Sequence, residues 1–167
     1  MRIGIVGSDD RARAIGRLLR SGGHEVTYGD PLSQERAERA AREVGSHAQI
    51  PYRQAMCSDV LVFACDKAHV DRAVVAIGTT PDAVVVDAIP DERGGSYRSD
   101  AEMLARKLDS HRVVRALIGV PTSGANIPIC GDDPMSKVLV DRALQSAGCL
   151  VTDRGPLAAA KELEAPA

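Results

Sequence analysis

Short apolar runs alternate along the chain with longer segments in which apolar residues recur at helical spacing. The first run, residues 2–6, predicts a strand, and residues 10–20 predict a helix with its apolar residues on one face. Residues 59–64 form an almost unbroken apolar run, which is typical of a strand covered on both faces. This alternation indicates a parallel sheet with helices packed against both of its faces.

The remaining segments continue the same pattern. Strands are predicted at 25–28, 83–86, 112–117 and 149–152, and helices at 33–44, 67–77, 99–108, 133–146 and 156–163. Residues 121–129 contain two prolines and a glycine, which predicts a loop or an edge strand. The expected fold is a Rossmann-type, doubly wound α/β domain with a mainly parallel sheet. It spans residues 1–164 as a single domain, and residues 165–167 form a short tail.

The composition fits a globular domain and disfavours several other classes of protein. Hydrophobic residues make up 44% of the chain and charged residues 26%, while no apolar run approaches the roughly 18 residues of a spanning helix. The N-terminal residues lack the pattern of a signal peptide, so we expect a cytoplasmic protein without a membrane partner. The net charge of −2, with interleaved signs and only 2% aromatic residues, argues against nucleic-acid binding.

The cysteines and histidines give no indication of a metal site. Cys57, Cys65, Cys130 and Cys149 lie far apart and form no C-x-x-C pair, and the four histidines are equally scattered. Three of these cysteines lie in or beside apolar runs, where a free cysteine behaves as a small hydrophobic residue. We therefore predict structural cysteines and no metal ion.

The turn after the first strand is the most informative segment. In the fingerprint G-x-G-x-x-G/A, such a turn sets backbone N–H groups and a helix start against a diphosphate. Gly7 and Ala12 fit the first and third positions, with Ser8 and Asp10 between them, but Asp9 stands at the second. Like charges about 4 Å apart repel by roughly 4 kcal/mol at an effective dielectric near 20. Either Asp9 turns away from the phosphates, or binding is weak, or it is lost.

A second element of a dinucleotide site lies after the second predicted strand. An acidic residue about 20 residues beyond the glycine turn commonly binds the adenosine ribose, and Asp30 has this spacing. A carboxylate there favours NAD, whereas Arg36, reaching back from the next helix, would favour the 2′-phosphate of NADP. Alternatively, residues 29–31 form only a turn.

Further segments along the chain match one known family. They are MRIGIVG (1–7), GHEV (23–26), SDVLVFA (58–64), VVDA (85–88), VVRAL (113–117), GDD (131–133), AG (147–148), DRGPL (153–157) and LE (163–164). With these segments the chain resembles the dinucleotide-binding domain of the F420-dependent NADP oxidoreductase family and, more loosely, the pyrroline-5-carboxylate reductases. The C-terminal segments are the most specific part of this resemblance.

The resemblance implies a protein that binds NADP(H) and passes a hydride to or from the deazaflavin F420. It places Gly7, Ser8 and Ala12 around the diphosphate, Asp30 and Arg36 at the adenosine ribose, and Ala64, Cys65 and Asp66 near the nicotinamide ribose. Hydride transfer asks the protein mainly to position the cofactor, so no general acid or base is required.

Four segments depart from the family pattern. Asp9 replaces a glycine, Asp30-Pro31 replaces a serine-arginine pair, Cys65-Asp66-Lys67 replaces a small or valine-proline segment, and Ile118-Gly119 replaces asparagine-threonine. The framework is kept, whereas most positions that face the cofactor are changed.

Two functions therefore stay open at this point. One is an NAD(P)-dependent oxidoreductase that acts on F420 or on a small carbonyl or imine substrate. The other is a non-catalytic Rossmann-like protein with a degenerate phosphate loop, which binds a different ligand or acts as a binding or assembly partner. In either case a homodimer is expected, because such a domain exposes an apolar face without a C-terminal partner domain.

Overall fold

Eight strands form one sheet at the centre of the computed structural model, which describes residues 1–78, 81–90 and 99–164. The strands are Arg2–Val6 (β1), Glu25–Gly29 (β2), His47–Ala48 (β3), Val60–Phe63 (β4), Val84–Asp87 (β5), Val113–Arg115 (β6), Asn126–Gly131 (β7) and Leu150–Asp153 (β8). Their order in the sheet is β3-β2-β1-β4-β5-β6-β7-β8. All neighbouring strands are parallel except β6 and β7, so the predicted mainly parallel sheet is confirmed.

Helices cover both faces of this sheet. They are Asp10–Ser21 (α1), Gln34–Val44 (α2), Pro51–Cys57 (α3), Val70–Ile77 (α4), Asp100–Lys107 (α5), Pro134–Ser146 (α6) and Ala160–Glu164 (α7), with 3₁₀ turns at Lys67–His69 and Leu157–Ala159. One hydrophobic core joins the sheet to α1, α2 and α6, and a second joins it to α3, α4, α5 and α7. This arrangement is the predicted doubly wound Rossmann-type fold.

The helices begin where the sequence places capping residues. The side chain of Ser33 accepts a hydrogen bond from the backbone of Arg36 at the start of α2. Asp133 caps α6 in the same way, and Pro134 occupies the first helical position. These caps satisfy N–H groups that have no partner within their helix, which is why the helix starts were predictable.

Helix α1 lies unusually close to β2. A Cβ atom on Gly16 would overlap the hydroxyl of Tyr28, and that hydroxyl donates a hydrogen bond to the carbonyl of Ala12 at 3.1 Å. The close contact holds the first turn of α1 against the sheet. It therefore also holds the preceding loop at the carboxyl end of β1.

Two elements between residues 45 and 58 escaped the sequence analysis. Strand β3 has only two residues, and α3 has seven, so neither shows a clear periodicity. Helix α3 is held by Gln54, which is fully buried and donates to the carbonyls of Ile5 at 3.1 Å and Thr27 at 2.9 Å. A polar anchor of this kind leaves no hydrophobic pattern in the sequence.

The prediction of a loop or an edge strand at 121–129 was wrong for its second half. Strand β7 lies inside the sheet, antiparallel to β6 and parallel to β8. Strand β6 is only three residues long and pairs with Cys130 and Gly131. Pro128, which has no N–H to donate, lies outside that pairing and is therefore tolerated in an interior strand.

Two further expectations from the sequence concern the C-terminal tail and the membrane. The predicted tail at 165–167 lies outside the described residues. Among the residues that the structure describes, no helix is long and apolar enough to cross a membrane.

Candidate functional site

A cleft opens at the carboxyl ends of β1, β2 and β4, where the connections from β1 and β4 leave the sheet on opposite sides. In open α/β sheets, ligands bind at such a switch in topology. Seven of the residues predicted from the sequence line this cleft: Gly7, Ser8, Asp9, Asp30, Arg36, Cys65 and Asp66. Ala12 and Ala64 are fully buried beneath it.

Gly7 forms the tight turn that leads out of β1. Its φ angle is +131°, a conformation that L side chains rarely adopt, and its N–H donates to the carbonyl of Gly29 at 2.8 Å. A Cβ atom on Gly7 would lie 2.6 Å from the carbonyl oxygen of Ala64, closer than real Cβ contacts allow. The position requires glycine, and Ala64 forms the floor below the turn.

The side chain of Asp9 points to the start of α1. Its Oδ1 atom accepts a hydrogen bond from the N–H of Ala12 at 2.7 Å, so Asp9 is the N-cap of this helix. The first N–H groups of a helix are the donors that bind a phosphate in a Rossmann site. Asp9 therefore places a carboxylate, with its negative charge, against one of these donors.

Asp10 lies on the outer side of the loop, in a second cavity that is open to solvent. Its carboxylate is 97% exposed and forms an ion pair with Arg13. The walls of this cavity include Arg36 and Arg39, which are one turn apart on α2. Arg13 and Arg39 were not predicted from the sequence, although the three-residue spacing of Arg36 and Arg39 on α2 is a signal that could have indicated a basic helix face.

Asp30, at the end of β2, is buried and well supplied with hydrogen bonds. Its Oδ1 atom accepts from the N–H groups of Leu32 at 2.8 Å and Ser33 at 3.3 Å. Its Oδ2 atom accepts from the hydroxyl of Ser8 and from Nε of Arg36, the latter at 3.3 Å. Both carboxylate oxygens therefore bind groups of the protein, while the guanidinium of Arg36, whose side chain is 52% exposed, lies over the end of β2.

Cys65 and Asp66 follow β4 on the other side of the cleft. Burial raises the pKa of the Cys65 thiol to about 12, so it stays protonated at neutral pH and is a poor nucleophile or metal ligand. Asp66 is exposed, and its Oδ2 atom lies 3.8 Å from Nδ1 of His69. In the described part of the chain, no group of three or more His, Cys, Asp or Glu residues is placed to hold a metal ion.

A fully buried ion pair lies at the carboxyl end of β5. Nη1 of Arg115 contacts Oδ2 of Asp87 at 2.8 Å and also donates to the carbonyl of Ile89 at 3.0 Å. Burial raises the pKa of Asp87, and the neighbouring Arg115 opposes this shift. Asp87 ends an apolar strand in the sequence, which is a pattern that could have indicated a buried carboxylate.

Arg11 extends from the first turn of α1 toward this ion pair, and its Nη1 atom donates to the carbonyl of Ala88. No role of Arg11 was predicted from the sequence, because its position in the loop fingerprint is a variable one.

Comparison with known proteins agrees with this fold. The model of the family described as NADP oxidoreductase, coenzyme F420-dependent, matches residues 2–90. The metalloreductase STEAP3 of Rattus norvegicus is 27% identical over 178 residues, a match that covers 98% of this chain and 36% of STEAP3. The chain thus spans about a third of the length of this curated relative.

Solved structures show the same fold. A protein from Arthrobacter sp. FB24, assigned as an F420-dependent NADP reductase, superposes with a TM-score of 0.79 at 20% identity, covering 98% of this chain and 89% of that one. A pyrroline-5-carboxylate reductase from Coxiella burnetii superposes with a TM-score of 0.68 at 19% identity, covering 90% and 57%. At these identities the similarity shows the fold, which both families named in the sequence analysis share.

Proposed function

The chain belongs to the family of coenzyme F420-dependent NADP oxidoreductases, and from this membership we propose that its cleft binds NADP(H). We further propose that it transfers a hydride between this cofactor and F420 or a small carbonyl or imine substrate. One observation carries the proposal. The Gly7 turn, the start of α1 and the Asp30–Arg36 pair meet in a single cleft at the carboxyl edge of the sheet.

The residues of the loop fit a dinucleotide at most positions. Gly7 fits the first glycine of the fingerprint, which makes the tight turn out of β1. The hydroxyl of Ser8 donates to Asp30 and holds the loop against the end of β2, and α1 begins directly after the loop. Asp9 is the one residue that opposes the ligand, because its charge has the same sign as that of the phosphates.

The adenosine end of the cleft favours NADP over NAD. Asp30 already binds four groups of the protein, so its oxygens are not available to accept from the ribose hydroxyls. Arg36 and Arg39 lie on the exposed face of α2 beside Ser8, with Arg13 across the cavity. Guanidinium groups in this arrangement suit the 2′-phosphate of NADP.

Replacing Arg36 by glutamine tests this preference. We expect the wild-type protein to bind NADPH more tightly than NADH, and R36Q to lose about 10- to 100-fold in NADPH affinity with little change for NADH, because a charge-assisted contact to the phosphate is removed. The dissociation constants are measured by calorimetry. R42Q, in the last turn of the same helix, carries the same charge change and serves as the control. An equal effect of both variants on both cofactors would contradict a 2′-phosphate site at Arg36.

The second half of the dinucleotide would lie over the ends of β4 and β5. The nicotinamide ring, when bound, supplies the hydride chemistry. Ala64 and Cys65 provide an apolar, buried floor there, and Asp66 lies at the exposed rim, where its carboxylate would accept from the ribose hydroxyls. In this proposal the protein positions the ring and its acceptor, and the proton that balances hydride addition to F420, a carbonyl or an imine comes from solvent water, so that no side chain has to transfer it.

One observation favours the alternative of a non-catalytic protein. The carboxylate of Asp9 takes the N–H of Ala12, at the place where a diphosphate would accept. If this negative charge prevents binding, the Rossmann domain serves a different, less anionic ligand or a protein partner.

Hydride transfer from deuterium-labelled NADPH separates the two functions. We expect label to appear in reduced F420, or in the reduced product of a small carbonyl or imine compound. NADPH binding without transfer to any acceptor of these three classes would contradict the catalytic proposal and support the non-catalytic alternative.

A further inference from the structure

Arg11 carries a buried guanidinium edge without an acceptor. Its side chain leaves the first turn of α1 and donates through Nη1 to the carbonyl of Ala88, just after β5. Its Nε and Nη2 atoms are buried and have no hydrogen-bond partner among the described residues. Buried donors in folded proteins are nearly always satisfied, so this pair points to an acceptor that the described residues do not provide.

The chemistry of that acceptor follows from the geometry of the guanidinium group. Nε–H and Nη2–H lie on one edge of the plane and donate in parallel, as in side-on binding of a carboxylate or a phosphate. The positive charge of Arg115 lies near enough to lower the pKa of Arg11, and Arg115 is already ion-paired with Asp87. Burial lowers the pKa of Arg11, which reflects a cation that is only partly compensated by Asp9 and Asp87.

We propose that the Nε–Nη2 edge of Arg11 binds an oxyanion, a phosphate or a carboxylate, at the carboxyl ends of β4 and β5. This inference rests on the proposed function, because that region is the nicotinamide half of the cleft. The cation of Arg11 compensates for Asp9, which caps the helix start that would otherwise bind the anion. The oxyanion belongs either to the nicotinamide-side phosphate of the dinucleotide or to an acidic group of the second substrate.

Arg11→Met tests the proposal, with Arg17→Met as the matched control. Arg17 is exposed on the same helix, so both variants lose one positive charge from α1. The probes are NADPH and inorganic pyrophosphate, each titrated into the protein, and inorganic phosphate, titrated into the NADPH complex. We expect R11M to weaken the binding of an oxyanion probe by about 10- to 100-fold. R17M should change the binding of the same probe by less than about threefold.

The three titrations distinguish the two sources of the oxyanion. Weaker binding of NADPH and pyrophosphate by R11M identifies the phosphate of the cofactor. Unchanged NADPH binding, with loss of phosphate binding to the NADPH complex, identifies the second substrate. If R11M behaves like R17M with all three probes, the inference is overturned while the proposed function stands. If the wild type binds pyrophosphate through Arg11 but not NADPH, the proposed function fails and the inference stands. A wild type that binds none of the probes overturns both.

Thermal unfolding separates binding from a merely structural role. Because R11M removes only the hydrogen bond to Ala88, we expect the Tm of the ligand-free protein to change by no more than about 4 °C. The rise in Tm on adding the bound probe should be much smaller in R11M than in the wild type. R11K keeps the charge but not the parallel donors, so it should recover only part of the affinity. A large fall in the ligand-free Tm, with an unchanged rise on adding ligand, would overturn the proposal.

Discussion

Replacing Asp9 by glycine is expected to tighten NADPH binding by about 30- to 100-fold. In the structure, the Asp9 carboxylate accepts the N–H of Ala12 at 2.7 Å, so it occupies a donor and places a negative charge where we propose that the diphosphate binds. Like charges about 4 Å apart repel by roughly 4 kcal/mol at an effective dielectric near 20. Solvent around the partly exposed side chain reduces this to about 2–2.7 kcal/mol, which corresponds to the expected change in the dissociation constant.

Two further variants make this prediction specific. Asp9→Asn removes the charge but keeps a side chain that caps α1, so its gain in affinity should be smaller, about tenfold. Asp10→Asn removes a charge from the exposed neighbour, and its gain should stay below about threefold. Glycine is itself an acceptable N-cap residue, so D9G should cost only a few tenths of a kcal/mol in stability. An NADPH affinity of D9G no higher than that of D10N would show that Asp9 does not face the cofactor.

Replacing Asp87 by alanine should lower the free energy of unfolding by about 3–5 kcal/mol. Asp87 and Arg115 are both fully buried, and the loss of the carboxylate leaves the guanidinium without its buried counter-ion. Asp87 also accepts the N–H of Ile89 at 3.1 Å, so the change removes a backbone contact as well. For a domain of this size, the melting temperature should fall by roughly 6–20 °C, and urea unfolding measures the free energy directly.

The double variant D87L/R115M is the control for this experiment. Two apolar side chains of similar volume replace a buried ion pair without leaving an unpaired charge, so the double variant should regain most of the lost stability. A loss below about 1 kcal/mol in D87A, or no recovery in the double variant, would contradict a stabilising role of the pair.

The fold was predictable because its features are local. Apolar runs at residues 59–64 and 83–86 identify strands covered on both faces, and Ser33 and Asp133 identify helix starts through their hydrogen bonds. Helix α3 was missed because Gln54, a polar residue, anchors it. Strand β7 was predicted as a loop or an edge strand because it contains Pro128, which has no N–H to donate. The proline is tolerated inside the sheet because the short strand β6 pairs only with Cys130 and Gly131.

The site was predictable only in part. The spacing of Gly7 and Asp30 along the chain placed both at the cleft, as the structure shows. The sequence did not indicate that Asp30 is saturated by its own chain, because that depends on side-chain directions. Arg11 was missed for the same reason. Its proposed role becomes visible only when the structure shows that its side chain reaches the carbonyl of Ala88, just after β5. The preference for NADP, the second substrate and the homodimer stay predictions.

The most direct test of this account is a calorimetric titration of the purified, folded wild-type protein with NADPH and with NADH. We predict saturable binding of one NADPH per chain, tighter than the binding of NADH, and tighter still after the Asp9→Gly replacement. If neither the wild type nor D9G gives a heat of binding with either cofactor, the account is contradicted. The Rossmann domain would then bind a different ligand.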